Sequence, residues 1–178
     1  MPPTPDEKDW TWVLQEPCPE CGFDSAAIGP ADVPGLTRGA VASFAAVLAR
    51  PDAKARPAPE VWSPLEYGCH VRDVCRVFDA RLQLMLTEDD PLFSNWDQDV
   101  SALEDRYWAQ QPDTVAQQLT VAGERIASAF AAVQDAQWTR SGRRSNGSIF
   151  TVDSLSRYFV HDLVHHVSDV SGVSGVTG

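Results

Sequence analysis

Four stretches of this chain repeat apolar residues every three or four positions, and this spacing constrains the fold more than any other feature. The stretches cover residues 31–49, 60–86, 113–135 and 151–170. A period near 3.6 places apolar side chains on one face of an α-helix, and that face must be buried against other elements. Four long helices of this kind predict an all-α domain, with the architecture of a four-helix bundle.

The start of the second stretch carries the clearest local signal. Ser63 can cap a helix, Pro64 suits the first helical position, and Glu66 follows the serine by three residues. This arrangement is a capping box, which fixes the residue at which a helix begins. Thr151 is the corresponding N-cap candidate for the last stretch.

The segments outside the helices divide the chain further. Residues 1–30 are interrupted by proline and glycine too often for a long element, so we expect an irregular N-terminal extension. The predicted bundle spans residues 31–170, and residues 171–178 are expected to form a flexible tail.

Two connections within the bundle differ in character. The connection over residues 87–111 combines aromatic and polar side chains, as a lid over a pocket would, and leaves room for a short helix near residues 99–108. Residues 140–148 are basic and rich in turn-forming residues, so we expect a loop there.

Composition excludes several classes of function. A length of 178 residues suits one domain, and an apolar content of 43% argues against disorder. A formal net charge of −11 repels phosphate backbones, so no nucleic-acid partner is expected. No apolar run approaches the ~20 residues of a membrane span, and the acidic, proline-rich start does not resemble a signal peptide. We therefore expect a cytoplasmic protein.

Three of the four histidines lie where a metal site would need them. His161 and His165 are four residues apart and share one helix face, while His70 lies at the edge of the apolar face of another helix. Three neutral imidazoles would leave coordination positions open and suit zinc, nickel, iron or copper better than magnesium or calcium. Of these ions we expect zinc, with nickel or iron as alternatives. His166 points about 100° away from the pair. In the competing interpretation, these histidines bond core carbonyls or face solvent.

Carboxylates one turn from these histidines could hold the second nitrogen of each ring, as supporting groups around metals commonly do. In the competing interpretation, they form a solvated acidic face. The candidates are Glu66, Asp73, Asp162 and Asp169.

The four cysteines give a weaker signal. Cys18 and Cys21 form a Cys-x-x-Cys knuckle, but a structural zinc needs two more ligands and the sequence has no second knuckle. Thioredoxin-like chemistry would need a βαβ context, which is absent. A disulfide, a reduced pair and ligation shared with another group all stay open. Cys69 and Cys75 are expected to be small buried apolar residues.

Cations near the predicted site offer a way to bind an anion. A polar strip runs along the last helix between its apolar residues; it consists of Ser154, Arg157, Tyr158, His161, His165 and Ser168. Arg157 lies one turn before His161 on this inner polar strip and could bind a carboxylate bidentately. Arg143 and Arg144 belong to the basic loop and could be ordinary surface residues.

Three motifs carry a family resemblance. They are the segment from Trp62 to His70 (WSPLEYGCH), the His161-x-x-x-His165 pair and the loop from Pro91 to Asp97 (PLFSNWD). Together they resemble the DinB-like superfamily, over residues 31–170. This is the metal-binding four-helix bundle of bacterial thiol S-transferases and of mycothiol-dependent maleylpyruvate isomerase. The Cys-x-x-Cys extension looks like an addition found in a subset of such proteins.

The resemblance implies a divalent metal ion held by His70, His161 and His165. Where the isomerases have a glutamate ligand, this chain has His161, which favours the tri-histidine transferase branch. The implied activity is a metal-dependent S-transferase that joins a low-molecular-weight thiol to small electrophiles. In that case Arg157 and Tyr158 would orient the thiol.

The amino-acid composition suggests which thiol the protein would use. The cations are nearly all arginine, and together with abundant alanine and valine this hints at a GC-rich genome, which favours mycothiol over bacillithiol. The expected partners are a small-molecule thiol and an electrophile, with the chain a monomer or homodimer. One alternative is a non-catalytic metal-binding or sensor domain. Another is a metal-dependent hydrolase, although the inner polar strip offers no obvious carboxylate base.

Overall fold

The computed structural model describes residues 9–171, which form five α-helices and a small three-stranded sheet. In chain order the elements are α1 (Val33–Leu48), α2 (Pro64–Thr87), β1 (Leu92–Phe93), α3 (Gln98–Glu104), α4 (Pro112–Ala131), β2 (Ser141–Arg144), β3 (Ile149–Thr151) and α5 (Val152–Ser171). The predicted flexible tail lies outside the described residues, apart from Ser171.

The prediction of a helical bundle is confirmed. Helices α1, α2, α4 and α5 lie within a few residues of their predicted limits, and α3 is the short helix expected in the long connection. Helices α1 and α2 pack mainly against α4 and α5, and less against each other. This arrangement makes α2 and α5 neighbours, so the helix that carries His70 faces the helix that carries the other three histidines.

The capping box forms as the sequence predicts. The Ser63 hydroxyl accepts a hydrogen bond from the Glu66 amide at 3.3 Å, and the Glu66 carboxylate accepts one from the Ser63 amide at 2.9 Å. Glu66 is also paired with Arg56. Because these contacts occupy its carboxylate, Glu66 does not support His70. The predicted cap of α5 forms as well, since the Thr151 hydroxyl accepts from the Ser154 amide at 3.1 Å.

The small sheet was not predicted. Strand β1 pairs in parallel with β2, which pairs antiparallel with β3, so the expected basic loop is a β-hairpin. Gly142 allows the hairpin to lie against the bundle, because a Cβ there would meet the Phe93 ring at 2.5 Å and Met85 at 2.8 Å. The sheet depends on this packing and not on a pattern of strand-forming residues.

The described part of the N-terminal extension, residues 9–30, lies against α5. It contains two turns of 3₁₀-helix, Trp10–Leu14 and Ser25–Ala27, and neither an α-helix nor a strand. Val13 and Cys18 from this segment are buried in the main core. The extension is therefore packed as part of the folded unit. Between residues 9 and 171, the helices are too short or too polar to cross a membrane.

Candidate metal centre

Among residues 9–171, metal-ligating side chains gather in two groups that lie on different faces of α5. Within each group the ligand atoms lie within 4.8 Å of one another. The first group faces α2 and contains His70, Asp162 and His166. The second faces the N-terminal extension and contains Cys18, Cys21, His161 and His165.

The three predicted histidine ligands are therefore not brought together. His161 and His165 share one helix face, as their spacing predicts, but the ring of His70 lies against His166, with 4.8 Å between ring centroids. Consecutive residues of a helix diverge by about 100°, so the next pair along, Asp162 and His166, points towards α2 instead. The structure places His70 in a different group from His161 and His165, and metal binding by these three histidines stays a prediction.

The geometry of the first group fits a metal ion. His70 Nε2 and His166 Nε2 lie 3.5 and 3.7 Å from Asp162 Oδ1. These separations are long for hydrogen bonds, but they approach the edge of about 3.4 Å expected between oxygen and nitrogen ligands of tetrahedral zinc. The spacing suits a cation between the three side chains better than direct contacts among them.

Unpaired polar atoms point to the same conclusion. Both ring nitrogens of His70 and Oδ1 of Asp162 are buried without a hydrogen-bond partner. Buried polar atoms are normally paired, so orphaned atoms that converge on one point need an explanation. A cation at that point would satisfy His70 Nε2 and Asp162 Oδ1 together.

Asp169 orients one of these rings. Its Oδ2 lies 2.9 Å from Nδ1 of His166, on the side of the ring away from Asp162. A carboxylate in this position favours the proton on Nδ1 and directs the lone pair of Nε2 towards Asp162, where a metal ion could be bound. Asp169 is therefore placed where the predicted supporting role would need it, and that role stays a prediction. Asp73 does not, because its carboxylate accepts from Arg72 and Tyr107.

The protonation states suit metal binding. Burial lowers the pKa of His70, and burial together with the neighbouring His165 lowers the pKa of His161 to about 4. Burial alone would raise the pKa of Asp162, but contact with His70 and the nearby His166 holds it below its usual range. Near neutral pH the first group therefore offers the neutral imidazole of His70 and the carboxylate of Asp162. With His166 they form a donor set of the kind used by zinc, nickel and iron.

This group opens onto a cavity of about 610 Å³. Asp162 and His166 line the cavity, together with Tyr158 and two arginines, Arg81 and Arg144. A cavity of this size can hold a drug-sized molecule. Two of the three candidate metal ligands, Asp162 and His166, are consequently at the wall of a space that a substrate could occupy, and His70 is buried behind them.

Arg81 makes part of this wall positively charged. It is only 6% exposed, and its guanidinium lies 5.3 Å from the Phe78 ring centroid and 5.6 Å from that of Phe93. Burial, with the like charge of Arg144, lowers the pKa of Arg81 to about 10, so it remains charged at neutral pH. Two cations beside one cavity favour an anionic group on whatever binds there.

Of the two residues predicted to orient a thiol, only Tyr158 lines the cavity. Arg157 is held elsewhere: its guanidinium pairs with Asp153, one turn earlier, and donates to the Ser25 carbonyl of the extension. Sequence reasoning missed Arg81. A signal existed, since Arg81 follows His70 by eleven residues, about three helical turns, and so lies near the same face.

The connection between α2 and α4 covers the first group, as expected of a lid. The Trp96 ring stacks on His70 with 5.6 Å between centroids and an interplanar angle of 14°. The indole Nε1 donates to Ser101 Oγ at 2.8 Å, which ties the ring to α3. Trp62 lies against His70 as well, at 5.4 Å between centroids. The candidate site is thus enclosed by aromatic rings on the side away from α5.

Comparisons with known proteins agree with this fold. The family model of the DinB superfamily matches residues 35–170. A solved structure, YfiT from Bacillus subtilis, is similar with a TM-score of 0.73 and 17% sequence identity, over 82% of this chain and 85% of that chain. YfiT is described as a probable metal-dependent hydrolase with an unusual four-helix bundle topology. No curated protein matches the sequence significantly. At this level of identity, the likeness to YfiT shows the fold alone.

Proposed function

This chain belongs to the DinB superfamily, and from that premise we propose that it is a metal-dependent transferase joining a low-molecular-weight thiol to small electrophiles. One observation carries the proposal: His70, Asp162 and His166 converge on one point, and Asp162 and His166 line a cavity of about 610 Å³. A non-catalytic metal-binding or sensor domain would not need such a space beside its ligands. The volume is enough for a thiol and a small second reactant.

The chemistry requires a thiolate. A divalent metal, when bound by this donor set, lowers the pKa of a thiol that coordinates it, and zinc is the ion these ligands suit best. In the proposed reaction the thiol proton passes to solvent and the sulfur attacks an electrophilic carbon. A carbon–sulfur bond forms, and the leaving group departs with its electron pair. The product is a thioether, and no redox partner is needed.

The cavity residues would position the reactants. Arg81 and Arg144 can each hold a carboxylate or a similar anionic group, and Tyr158 supplies a phenol beside them. Burial, with the charge of Asp162 nearby, raises the pKa of Tyr158, so its hydroxyl remains a hydrogen-bond donor at neutral pH. The aromatic rings of Trp62 and Trp96 would limit the access of water to the reacting sulfur. Mycothiol is the proposed thiol, because the arginine-rich composition suggests a GC-rich genome.

The direct test is a conjugation assay. The zinc-loaded protein is incubated with mycothiol and monochlorobimane, and the fluorescent conjugate is measured against the uncatalysed rate. We expect a rate above background that Asp162→Asn abolishes and the exposed control Asp113→Asn preserves. If neither mycothiol nor bacillithiol reacts faster than in buffer, while a known transferase works in the same assay, the transferase proposal fails.

A second variant tests the arginines. Arg81→Met keeps the apolar packing between the Phe78 and Phe93 rings but removes the charge. Loss of one charged hydrogen bond corresponds to about a tenfold rise in KM for an anionic electrophile. The KM for a neutral electrophile should change little. Equal changes for the two electrophiles would show that Arg81 only supports the fold.

A metal-dependent hydrolase is the second candidate. The likeness to YfiT favours it, since that protein is described as a probable hydrolase, and the same donor set could lower the pKa of water. Carboxylates that a hydrolase could use as a base also line the cavity, namely Glu60, Asp97 and Asp99. Turnover of ester or amide substrates without any thiol, lost in Asp162→Asn, would identify the hydrolase.

A further inference from the structure

The second group of ligands, which faces the N-terminal extension, is not used in the proposed reaction, although His161 and His165 also line the cavity. Cys18 and His161 are only 1% and 3% exposed, His165 is also buried, and Cys21 is half-buried. Neither cysteine is in a disulfide. The four side chains come from two segments that are far apart in sequence, the N-terminal extension and the last helix. Their convergence therefore comes from tertiary structure alone.

The geometry matches a tetrahedral site. Cys18 Sγ lies 3.7 Å from His165 Nδ1, and the four ligand atoms lie within 4.8 Å of one another. In a zinc site the separation between sulfur and nitrogen ligands is about 3.6 Å, given Zn–S near 2.3 Å and Zn–N near 2.05 Å. The Cys-x-x-Cys and His-x-x-x-His spacings are also those found in structural zinc sites with two cysteines and two histidines.

The backbone around the two cysteines forms a tight turn that directs both sulfurs to one side. Gly22 N donates to the Cys18 carbonyl, and Cys18 N donates to the Phe23 carbonyl, each at 2.8 Å. Gly22 has φ of +75°, a conformation that glycine adopts without strain. Burial raises the pKa of the Cys21 thiol to about 11, and the Phe23 amide only partly opposes this effect. The thiol therefore loses its proton near neutral pH when a metal ion binds the sulfur.

The two histidines of the second group, His161 and His165, are also arranged so that they could bind a metal ion. His161 Nε2 is buried without a hydrogen-bond partner, so an acceptor lone pair or a proton is left unsatisfied there. His165 Nε2 lies 3.5 Å from the Glu20 carboxylate, on the side of the ring opposite Cys18. That carboxylate favours the proton on Nε2 and leaves Nδ1 as a ligand facing the sulfur.

We propose that Cys18, Cys21, His161 and His165 bind a structural zinc ion, in a second metal centre separate from the one formed by His70, Asp162 and His166. Two thiols release their protons when the ion binds, and two neutral imidazoles complete the tetrahedron. No redox change is involved. Because four protein ligands fill the coordination sphere, this ion has no open position for a substrate.

The proposed zinc would fasten the N-terminal extension to α5. Residues of the extension form part of the cavity wall: Trp10 and Glu20 line it, and the Trp10 ring packs on His165 with 4.8 Å between centroids. Loss of the ion would therefore loosen this wall without removing any ligand of the first group. The zinc has a structural role in the same molecule that would carry out the metal-dependent reaction.

Cobalt substitution of the full chain tests this proposal. Cobalt bound to cysteine sulfur gives a thiolate-to-metal charge-transfer band in the near ultraviolet, which ligation by histidine and carboxylate does not give. We expect this band in the wild-type protein and in Asp162→Asn, which alters only the cavity site. We also expect it in Cys75→Ala, a control that removes a buried cysteine outside the site. The band should be lost in the double variant Cys18→Ser/Cys21→Ser.

Elemental analysis and alkylation give independent measurements. The double cysteine variant should hold one zinc equivalent less than the wild type, and zinc should slow iodoacetamide labelling of Cys18 and Cys21 at least tenfold in the wild-type protein. Absence of the band from the cobalt-loaded wild type overturns the proposal, even if the double variant does not fold. Labelling of both thiols at the same rate with and without zinc also overturns it, as does a Cys18–Cys21 disulfide in a non-reduced digest of freshly purified protein. None of these results bears on turnover at the cavity.

Discussion

Asp162→Asn separates metal binding from folding at the cavity site. The substitution keeps the shape of the side chain and removes the negative charge that lies 3.5 and 3.7 Å from the two imidazoles. Oδ1 makes no hydrogen bond that the metal-free protein could lose. We therefore expect the metal-free variant to unfold at nearly the wild-type temperature, and to differ only when metal is added.

The size of the difference follows from ligand linkage. At a zinc concentration 100 times the wild-type Kd, binding adds about 2.7 kcal/mol to the free energy of unfolding. Groups that only support a metal ligand are worth 10–100-fold in affinity, so loss of a direct ligand should cost at least about 100-fold. The same zinc concentration then adds only about 0.4 kcal/mol to the variant. The difference of about 2.3 kcal/mol corresponds to about 5–9 °C in Tm for a domain of this size.

Differential scanning calorimetry of the metal-free and zinc-loaded proteins measures this effect. The proposed Cys18–Cys21 centre is intact in both proteins, so its contribution cancels when the two zinc-dependent shifts are compared. Asp113→Asn, an exposed acid on α4, should behave as the wild type does. Zinc-dependent shifts within about 1 °C of each other in wild type and Asp162→Asn would refute the assignment of Asp162 as a ligand. The assignment would also be refuted if metal-free Asp162→Asn were less stable than the metal-free wild type by the whole difference of about 2.3 kcal/mol.

Three further predictions concern the fold. Tyr107→Phe removes the 2.7 Å hydrogen bond donated to the buried Asp73 carboxylate, and chemical denaturation should show a loss of about 1.5–3 kcal/mol. In Gly123→Ala the new Cβ would clash with Val41 where α1 crosses α4, so the free energy of unfolding should fall by about 1–3 kcal/mol. Adding Val41→Ala should recover part of this loss, as measured by chemical denaturation. Without metal, folding lowers the pKa of His161 from 6.5 to about 4. Between those values the unfolded chain binds more protons, so denaturation should show stability falling as pH falls from about 6.5 to 4.

Local signals predicted the helices well because their causes are local. The capping box at Ser63 and Glu66 places the start of α2 correctly, since its hydrogen bonds join residues three apart. The small sheet escaped prediction for the opposite reason. Ser141–Arg144 has no strand-forming pattern, and it becomes a strand because β1 and β3 lie on either side of it.

The arginines proposed to bind an anion show the same difference between local and tertiary causes. Arg157 was a reasonable prediction from its place one turn before His161, but the proximity of Asp153 and the Ser25 carbonyl determines where its guanidinium lies. Arg81 and Arg144 reach the cavity from α2 and β2, two elements whose relative position no local pattern encodes.

The sequence by itself determined that each pair of residues four apart on α5 would share a face, and that Cys18 and Cys21 could act together. Only the tertiary structure decided which pair meets which partner. Helical periodicity fixes the angle between residues of one helix, but the rotation of that helix within the bundle depends on packing against its neighbours. His161 and His165 lie about 100° around the helix axis from Asp162 and His166. In this fold the orientation of α5 turns the first pair towards the cysteines and the second pair towards His70.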